Sequence, residues 1–569
     1  MAYHLLTGAT GLLGAYLVRD LSLARIPLAV LVRPSRQLTA RQRIDALCAH
    51  WERQLGYSLP RPVVLVGDVG APRLGLTPTQ VDWVGRHCGA VIHNAASLTF
   101  VERNGEPQRS NVDGTRHVLD VCRAAGVGRL FHVSTAYICG LRQGRVYEHE
   151  VDVGQNLGNA YEVTKLASEQ MVRAAPLAEP PTIFRPGIIV GDYHTGYTTT
   201  FHGFYTPLAI VHTLATQGPR VGEGVAPELL LDSLGLSGDE GKNFVPVDWV
   251  SAAMTAVVTS PAAHGQTYHL TPPERVTVRD MTAAIVEALA DHFKRHPRLE
   301  RKPSGAASAA SDESGTQSGA RSGNQTGERD AQRVARFREQ MQVYRAYWRD
   351  DPQFDTRATT AQLPHLPCPS IDRAALLRLC RFALEAGFGW PRRPVTPAPF
   401  DADDALRRRF VVGERPPDDD DSWCTTTAPT ERPWDVHEAC APRNSLVRLG
   451  LVVDGRGGGQ WTLCGSHSTP AEQTDRHDAS EVKRGPAVAR ITEGVDPRAA
   501  ASAHLNAWAL QQLLTGKLDV ETALRQGWLL LRGSPADVHR AAAQLAEWFA
   551  QPTAGEPSSG EVVVAVASS

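Results

Sequence analysis

Tyr161-Glu162-Val163-Thr164-Lys165 sets a phenol and an ammonium four residues apart. On a helix that spacing brings both to one face. An ammonium beside a phenol favours the phenolate and lowers a pKa that is ordinarily about 10, so the tyrosine becomes usable as an acid or base near neutrality. The spacing is common on helix surfaces and means little alone. It gains meaning from Thr7-Gly8-Ala9-Thr10-Gly11-Leu12-Leu13-Gly14 at the start of the chain. There a strand, a glycine loop and a helix follow in order, the context in which glycines cradle a pyrophosphate at a helix N-terminus. Gly8 permits the tight turn, Gly11 lets backbone approach the phosphates, and Gly14 allows close helix–strand packing. Thr10, Leu12 and Leu13 complete the expected cofactor loop.

The second strand ends Val30-Leu31-Val32-Arg33. An acidic residue at this place suits ribose hydroxyls, whereas an arginine suits a 2′-phosphate, so NADP(H) is expected in preference to NAD(H). Asp68 and Val69 close the third strand, where the aspartate can reach an adenine amino group or simply make a turn. Asn94, Ala95 and Ala96 end the fourth strand with little bulk, leaving room for a cofactor across the sheet. Asn111 opens the next helix as either a cap or a site residue. At the end of the fifth strand, Ser134 and Thr135 offer hydroxyls to a carbonyl oxygen that gains charge during hydride addition. Pro186, Gly187 and Ile188 would wall the nicotinamide side, or form a plain turn.

These residues need a sheet to bring them together. Apolar runs at Tyr3–Thr7, Leu28–Arg33, Val63–Gly67, Ala90–Asn94, Arg129–Ser134 and Thr182–Arg185 alternate with amphipathic stretches at Leu12–Ala24, Asn111–Ala125 and Tyr161–Ala174. Continuous apolar strands imply a parallel sheet covered on both faces, a Rossmann-type doubly wound α/β fold whose ligand lies at the carboxyl ends of the strands.

Seven blocks in sequence, namely Thr7–Gly14, Gly67-Asp68-Val69, His93–Ala96, Asn111–Thr115, Val133–Gly140, Tyr161–Lys165 and Arg185–Gly191, resemble the extended short-chain dehydrogenase/reductase family. Ile92–Phe100, Val133–Tyr137 and Tyr161–Glu169 are similar to its thioester reductase and fatty acyl-CoA reductase branch. That resemblance implies a catalytic set of Thr135, Tyr161 and Lys165. It also implies an NADPH-dependent reductase of an acyl thioester, such as acyl-CoA, or of a related lipid carbonyl. Two alternatives stand beside it: an NAD-dependent epimerase or hydroxysteroid dehydrogenase/isomerase of the same fold, and a non-catalytic nucleotide-sensing lipid carrier. The adenylation and carrier domains that often accompany the branch are not seen, and 330–392 resembles nothing assignable.

At 569 residues the chain is too long for one core. The reductase domain is expected over 1–392, interrupted by a disordered Ser/Gly/Ala-rich insertion at 303–332. Order should resume at Val334–Trp348 and close in a helix around Ile371–Ala386. A Pro/Asp-rich linker follows over 393–435, then a domain at 436–552 and a flexible tail at 553–569. Leu449–Trp461, Leu513–Leu518 and Ala523–Gly533 resemble a sterol carrier protein type 2-like domain. That resemblance implies an α+β domain with a lipid ligand, whereas the Rossmann-type sheet before it is expected to carry a small substrate lobe. Strands are expected at Leu446–Val453, Gln460–Cys464 and Val488–Ile491, and helices at Ala499–Leu514 and Pro535–Phe549.

A net charge of −2 gives no reason to expect nucleic acid as a partner. Nine cysteines without a Cys-x-x-Cys pair argue against structural zinc, so no metal is expected, and a reducing, cytoplasmic setting is the default. The first strand begins at once, leaving no room for a signal peptide. No apolar run reaches the roughly 20 residues of a membrane span.

Overall fold

The computed structural model describes residues 2–216, 231, 235–296, 342–389, 400–412, 446–455, 457–466, 490–496 and 498–550. Seven strands form one parallel sheet: β1 (Tyr3–Thr7), β2 (Leu28–Val32), β3 (Val63–Val66), β4 (Cys88–His93), β5 (Leu130–Val133), β6 (Thr182–Pro186) and β7 (Thr267–Leu270). Their order is β7-β6-β5-β4-β1-β2-β3. The chain therefore reverses its winding between β1 and β4, and the crevice at that switch point is where ligands bind such sheets.

Alternation explains why the strands are apolar throughout. Leu6, Val30 and Ile92 point to one face, against Leu13, Leu17 and Leu21 of α1 (Leu12–Leu23). Leu5, Leu31 and Val91 point to the other, against Val118 and Cys122 of α4 (Gly114–Ala125). The first face is also covered by α2 (Ala40–Leu55) and the second by α3 (Pro78–His87) and α5 (Ala160–Ala174). Every residue of β2 is buried, as expected when both faces are covered.

A third cluster extends beyond the sheet, joining α6 (Tyr205–Thr216), α8 (Val278–Arg295) and α9 (Arg373–Glu385) around Phe204, Phe244 and Leu376. Helix α7 (Val247–Thr259) instead packs on α1. The helix expected near 371–386 is α9. Residues 303–332 and 334–341 lie outside the described residues.

The second lobe is a mixed sheet of β8 (Val411–Val412), β9 (Leu446–Asp454), β10 (Gly459–Ser466), β11 (Arg490–Glu493), β12 (Ala501–Asn506) and β13 (Leu529–Gly533), in the order β8-β11-β10-β9-β12-β13. Helices α10 (Ala402–Arg409), α11 (Ala507–Leu514), α12 (Val520–Arg525) and α13 (Pro535–Ala550) pack on it.

Two expectations are corrected here. The helix expected over Ala499–Leu514 is a strand up to Asn506, because Ala501, Ala503 and Leu505 alternate inward with period two. Residues 400–412, expected as linker, belong to the second lobe. Ala402, Leu406 and Phe410 are buried in its core, and β8 pairs with β11.

This lobe docks on the amino ends of the strands and along the β3 edge of the sheet, where Glu493 accepts from Val64 N at 3.3 Å. Tyr3 Oη donates to Gln460 Oε1 at 2.7 Å and accepts from Val495 N at 2.9 Å. Gln460 Nε2 donates to Arg61 O at 2.8 Å. No described helix is long and apolar enough to cross a membrane.

Candidate active site

The turn after β1 is possible only with glycine. Gly8 has φ +72°, and a Cβ there would lie 2.7 Å from Ala95 N. A Cβ on Gly14 would meet Gly8 O at 2.0 Å. Gly11, by contrast, has only Gly8 O within reach, at 3.4 Å, and faces a cavity of about 930 Å³ at the carboxyl ends of the strands. The start of α1 thus presents uncovered backbone to that cavity, a setting that suits an anion.

Sixteen of the expected residues line the cavity together. They are Gly8, Thr10, Gly11, Leu12, Leu13, Arg33, Val69, Asn94, Ala95, Ala96, Thr135, Tyr161, Lys165, Pro186, Gly187 and Ile188. Three do not line it. Gly14 lies behind the loop, where it sets the helix–strand distance. Asp68 pairs with Arg33 at 3.4 Å and accepts from Gly70 N at 2.9 Å. Asn111 is buried behind the wall, where its Oδ1 accepts from Ser97 N at 2.7 Å and its Nδ2 donates to Thr164 Oγ1 at 3.0 Å. It ties the strand end after β4 to α5 and does not face the cofactor space. His93, at the end of β4, bridges Thr7 and Thr115 at 2.9 and 3.1 Å. Burial pushes it down to about 3, so it is a neutral strut.

Helix α5 is placed by its cap and by a buried ion network. Asn159 Oδ1 accepts from Glu162 N at 3.0 Å. Glu169 pairs with Arg185 of β6 at 2.6 Å and with Arg173 at 2.8 Å. These contacts hold Tyr161 with its hydroxyl toward the side chain of Thr135, which favours the ionised phenol. Lys165, one turn on, donates from Nζ to Val133 O at 2.7 Å. Of the two hydroxyls after β5, Thr135's is the one that meets the tyrosine.

The expected effect of Lys165 on Tyr161 is not what this geometry gives. Burial pushes the phenol up to about 12, opposed only by the neighbouring Thr135 side chain, with Glu162 raising it further. Burial also pushes Lys165 down to about 8, and Glu169 partly counters that. Desolvation is the dominant effect at both groups.

Several lining residues had no signal in the sequence. Arg43, on α2, donates to Arg33 O at 2.6 Å and to Thr10 Oγ1 at 2.9 Å, forming a second cation at the nucleotide end. Phe100 meets the Tyr161 ring edge-on at 5.9 Å, and Tyr347 lies 5.4 Å from Phe100. Tyr347 Oη accepts from Asn159 Nδ2 at 3.1 Å. The stretch carrying Tyr347 and Trp348 is fastened by Asp351, which accepts from Tyr137 Oη at 2.6 Å and pairs with Lys242 at 3.4 Å. Beyond Tyr161 the cavity is lined by Leu98, Val101, Phe204, Pro207, Val211, Phe244, Met281 and Ile285. The cavity therefore has a cationic, glycine-lined end and an apolar end, with Thr135 and Tyr161 between them.

Known proteins are similar to this chain over the same stretch. Residues 6–254 match the NAD-binding family described as male sterility protein. Aldehyde reductase lnaA of Aspergillus flavus is 29% identical over 301 residues, 49% of this chain and 26% of that protein. Fatty acyl-CoA reductase wat of Drosophila melanogaster is 25% identical over 284 residues, 44% of this chain and 53% of that one. The match thus spans about half or less of these relatives' own length. The crystal structure of the terminal R domain from the myxalamid PKS-NRPS biosynthetic pathway has a TM-score of 0.51 at 24% identity, covering 68% of this chain and 92% of that chain. That likeness establishes the fold shared with the first lobe. The matched family segment holds the glycine loop, Thr135, Tyr161 and Lys165, but ends before α8 and the stretch around Tyr347.

Proposed function

We propose that the chain is an NADPH-dependent reductase of an acyl thioester or related lipid carbonyl. The observation that carries this is the placing of Thr135 beside Tyr161 in the wall of one cavity, at the junction between its glycine-loop end and its apolar end. The residues fit the cofactor: uncovered glycine backbone suits the pyrophosphate, and Arg33 with Arg43 suits a 2′-phosphate. When bound, the nicotinamide supplies hydride to the carbonyl carbon.

The protein's own part is proton and charge handling. Thr135 and Tyr161 donate hydrogen bonds to the carbonyl oxygen as it gains negative charge. A phenol held up at about 12 is protonated at neutral pH, the state a donor needs. Lys165, fixed on Val133 O beneath it, contributes positive charge under the site. Thiol release from the resulting hemithioacetal leaves an aldehyde. Free thiols at the seven described cysteines agree with a reducing, cytoplasmic setting.

Tyr161→Phe should lower turnover about 10²- to 10⁴-fold while leaving NADPH affinity within about twofold. NADPH oxidation with long-chain acyl-CoA, sterol ketones and sugar nucleotides measures this and separates the reductase from an epimerase; full activity in the variant sinks the assignment.

For the second lobe we infer an apolar ligand, on the strength of Trp508 and Trp528. These rings meet edge to face at 4.9 Å and remain exposed, as does Leu530 on β13. Quenching of tryptophan fluorescence by a long-chain fatty acid, lost in Trp508→Ala, is the expected result. An unchanged titration in that variant removes the ligand from this surface.

A further inference from the structure

Helix α2 faces two ways. Arg41 and Asp45 are one turn apart and share a face, whereas Arg43 lies about 200° round the helix from Arg41. The outer face is gripped by the second lobe. Arg41 pairs with Glu493 of β11 and lies 3.5 Å from Asp403 of α10. Its guanidinium sits over the Trp461 ring at 5.6 Å. Gly459 makes room for it, since a Cβ there would come within 2.9 Å of Arg41 Nη1. Asp45 Oδ1 accepts from Gly457 N at 2.7 Å. The inner face carries Arg43, bonded to Arg33 O and Thr10 Oγ1 at the nucleotide end of the cavity.

The first turn of α2 is also held by the Thr39–Gln42 capping box and by Ala40 and Ile44 in the core, and the second lobe adds the charged contacts on the opposite side. The charges that clamp it are largely shielded, with side-chain exposures of 15% for Arg41, 22% for Glu493 and 18% for Asp403. Charge-assisted bonds out of water fix orientation more firmly than surface pairs.

We propose that Arg41, Glu493 and Asp403 are positioning residues for the 2′-phosphate subsite. By clamping the outer face of α2, the second lobe holds Arg43 aimed into the cavity from the inner face, and so sets the preference for a 2′-phosphorylated dinucleotide. This rests on the NADPH reading above. It gives the second lobe a part in nucleotide choice although none of its described residues lines the cavity.

Direct binding of NADPH and of NADH to the full chain, followed by the fluorescence of the reduced nicotinamide, tests it. Arg43→Ala should weaken NADPH about tenfold or more and leave NADH nearly unchanged, as loss of a charge-assisted bond predicts. Arg41→Met and Glu493→Gln should each weaken NADPH about fivefold with NADH within about twofold, the low end of coupling between separate sites. Retained NADH binding shows that the variants are folded, and Glu493→Gln keeps an acceptor for Val64 N. Equal weakening of both nucleotides, or no change for NADPH, in Arg41→Met and Glu493→Gln overturns the positioning role. A flat Arg43→Ala result overturns the NADPH reading itself, and the positioning role with it.

Discussion

The two ends of the cavity are made of different material. At the nucleotide end the wall is largely backbone: the turn at Gly8–Gly11, the strand end at Asn94–Ala96 and the turn at Pro186–Ile188. At the apolar end it is side chain: Phe204, Val211, Phe244, Met281 and Ile285 from elements between 200 and 295, closed by Tyr347 and Trp348. A backbone wall tolerates no added atoms, whereas a side-chain wall changes shape with each substitution. The first end fixes what is held in common with other nucleotide-binding folds, and the second can be reshaped without touching the chemistry between them.

The largest effect should come from a single methyl group at the backbone end. A Cβ at position 14 would sit 2.0 Å from Gly8 O and 2.8 Å from Ala9 Cα, both parts of the main chain. No rotamer relieves that contact. Gly14→Ala is expected to cost about 3 kcal/mol or more of stability, as overpacking against fixed atoms does. Urea unfolding monitored by circular dichroism measures it, and a midpoint equal to that of the parent chain breaks the account of a rigid backbone wall.

This difference also explains what could be read from the sequence. Sixteen of nineteen expected site residues line the cavity because backbone turns demand glycine, alanine or proline at fixed spacing, and such demands leave short motifs. Asn111 is buried out of the cavity, because a helix start looks the same whether its side chain meets a ligand or a neighbouring strand. Arg43 had no spacing of its own to mark it, since its role depends on which way α2 is turned. Phe204, Met281 and Tyr347 left no signal at all, because an apolar residue in a ligand wall and one in a core obey the same periodicity. The same limit produced the misread Ala499–Leu514. There an alternating strand runs straight into a helix, and the apolar positions fit both periods for several residues.

At the side-chain end, Met281→Trp adds bulk to a partly buried position that packs against the third core cluster. The KM for a long-chain acyl substrate should rise about tenfold, a change of the size that hydrophobic pockets give for altered fit. The KM for NADPH should stay within about twofold. Steady-state assays varying each substrate in turn separate the two. A parallel rise in both would show that the ends are not independent.

Between the ends, pH should act through Lys165. Its ammonium, pushed down to about 8 by burial, is fully charged below that value and is lost as pH rises through it. Tyr161, at about 12, keeps its proton over the same range and adds no slope. NADPH oxidation should therefore be level on the acid side of about 8 and fall about tenfold per pH unit above it, the limiting slope for one required proton. A pH–rate profile at saturating substrates tests this. A rate that rises above pH 8 would mean that a deprotonated group, not the ammonium, limits turnover.

The smallest effect belongs to Asp68, whose carboxylate holds Arg33 at 3.4 Å on an exposed rim, with side-chain exposures of 39% and 61%. Exposed pairs of this kind contribute about 0–1 kcal/mol. Asp68→Asn keeps an oxygen for Gly70 N, so the turn after β3 should survive. It removes one negative charge from beside the expected phosphate and frees the Arg33 guanidinium to turn toward it. NADPH should bind about twofold tighter at low salt, with the gain fading as ionic strength shortens the reach of exposed charges to about 8 Å. NADH has no 2′-phosphate and should not respond. Fluorescence titrations of both nucleotides at two salt concentrations decide between the two roles open to this side chain. Weaker binding of both nucleotides would place the carboxylate on the adenine instead, and would extend the backbone-built nucleotide end by one side chain.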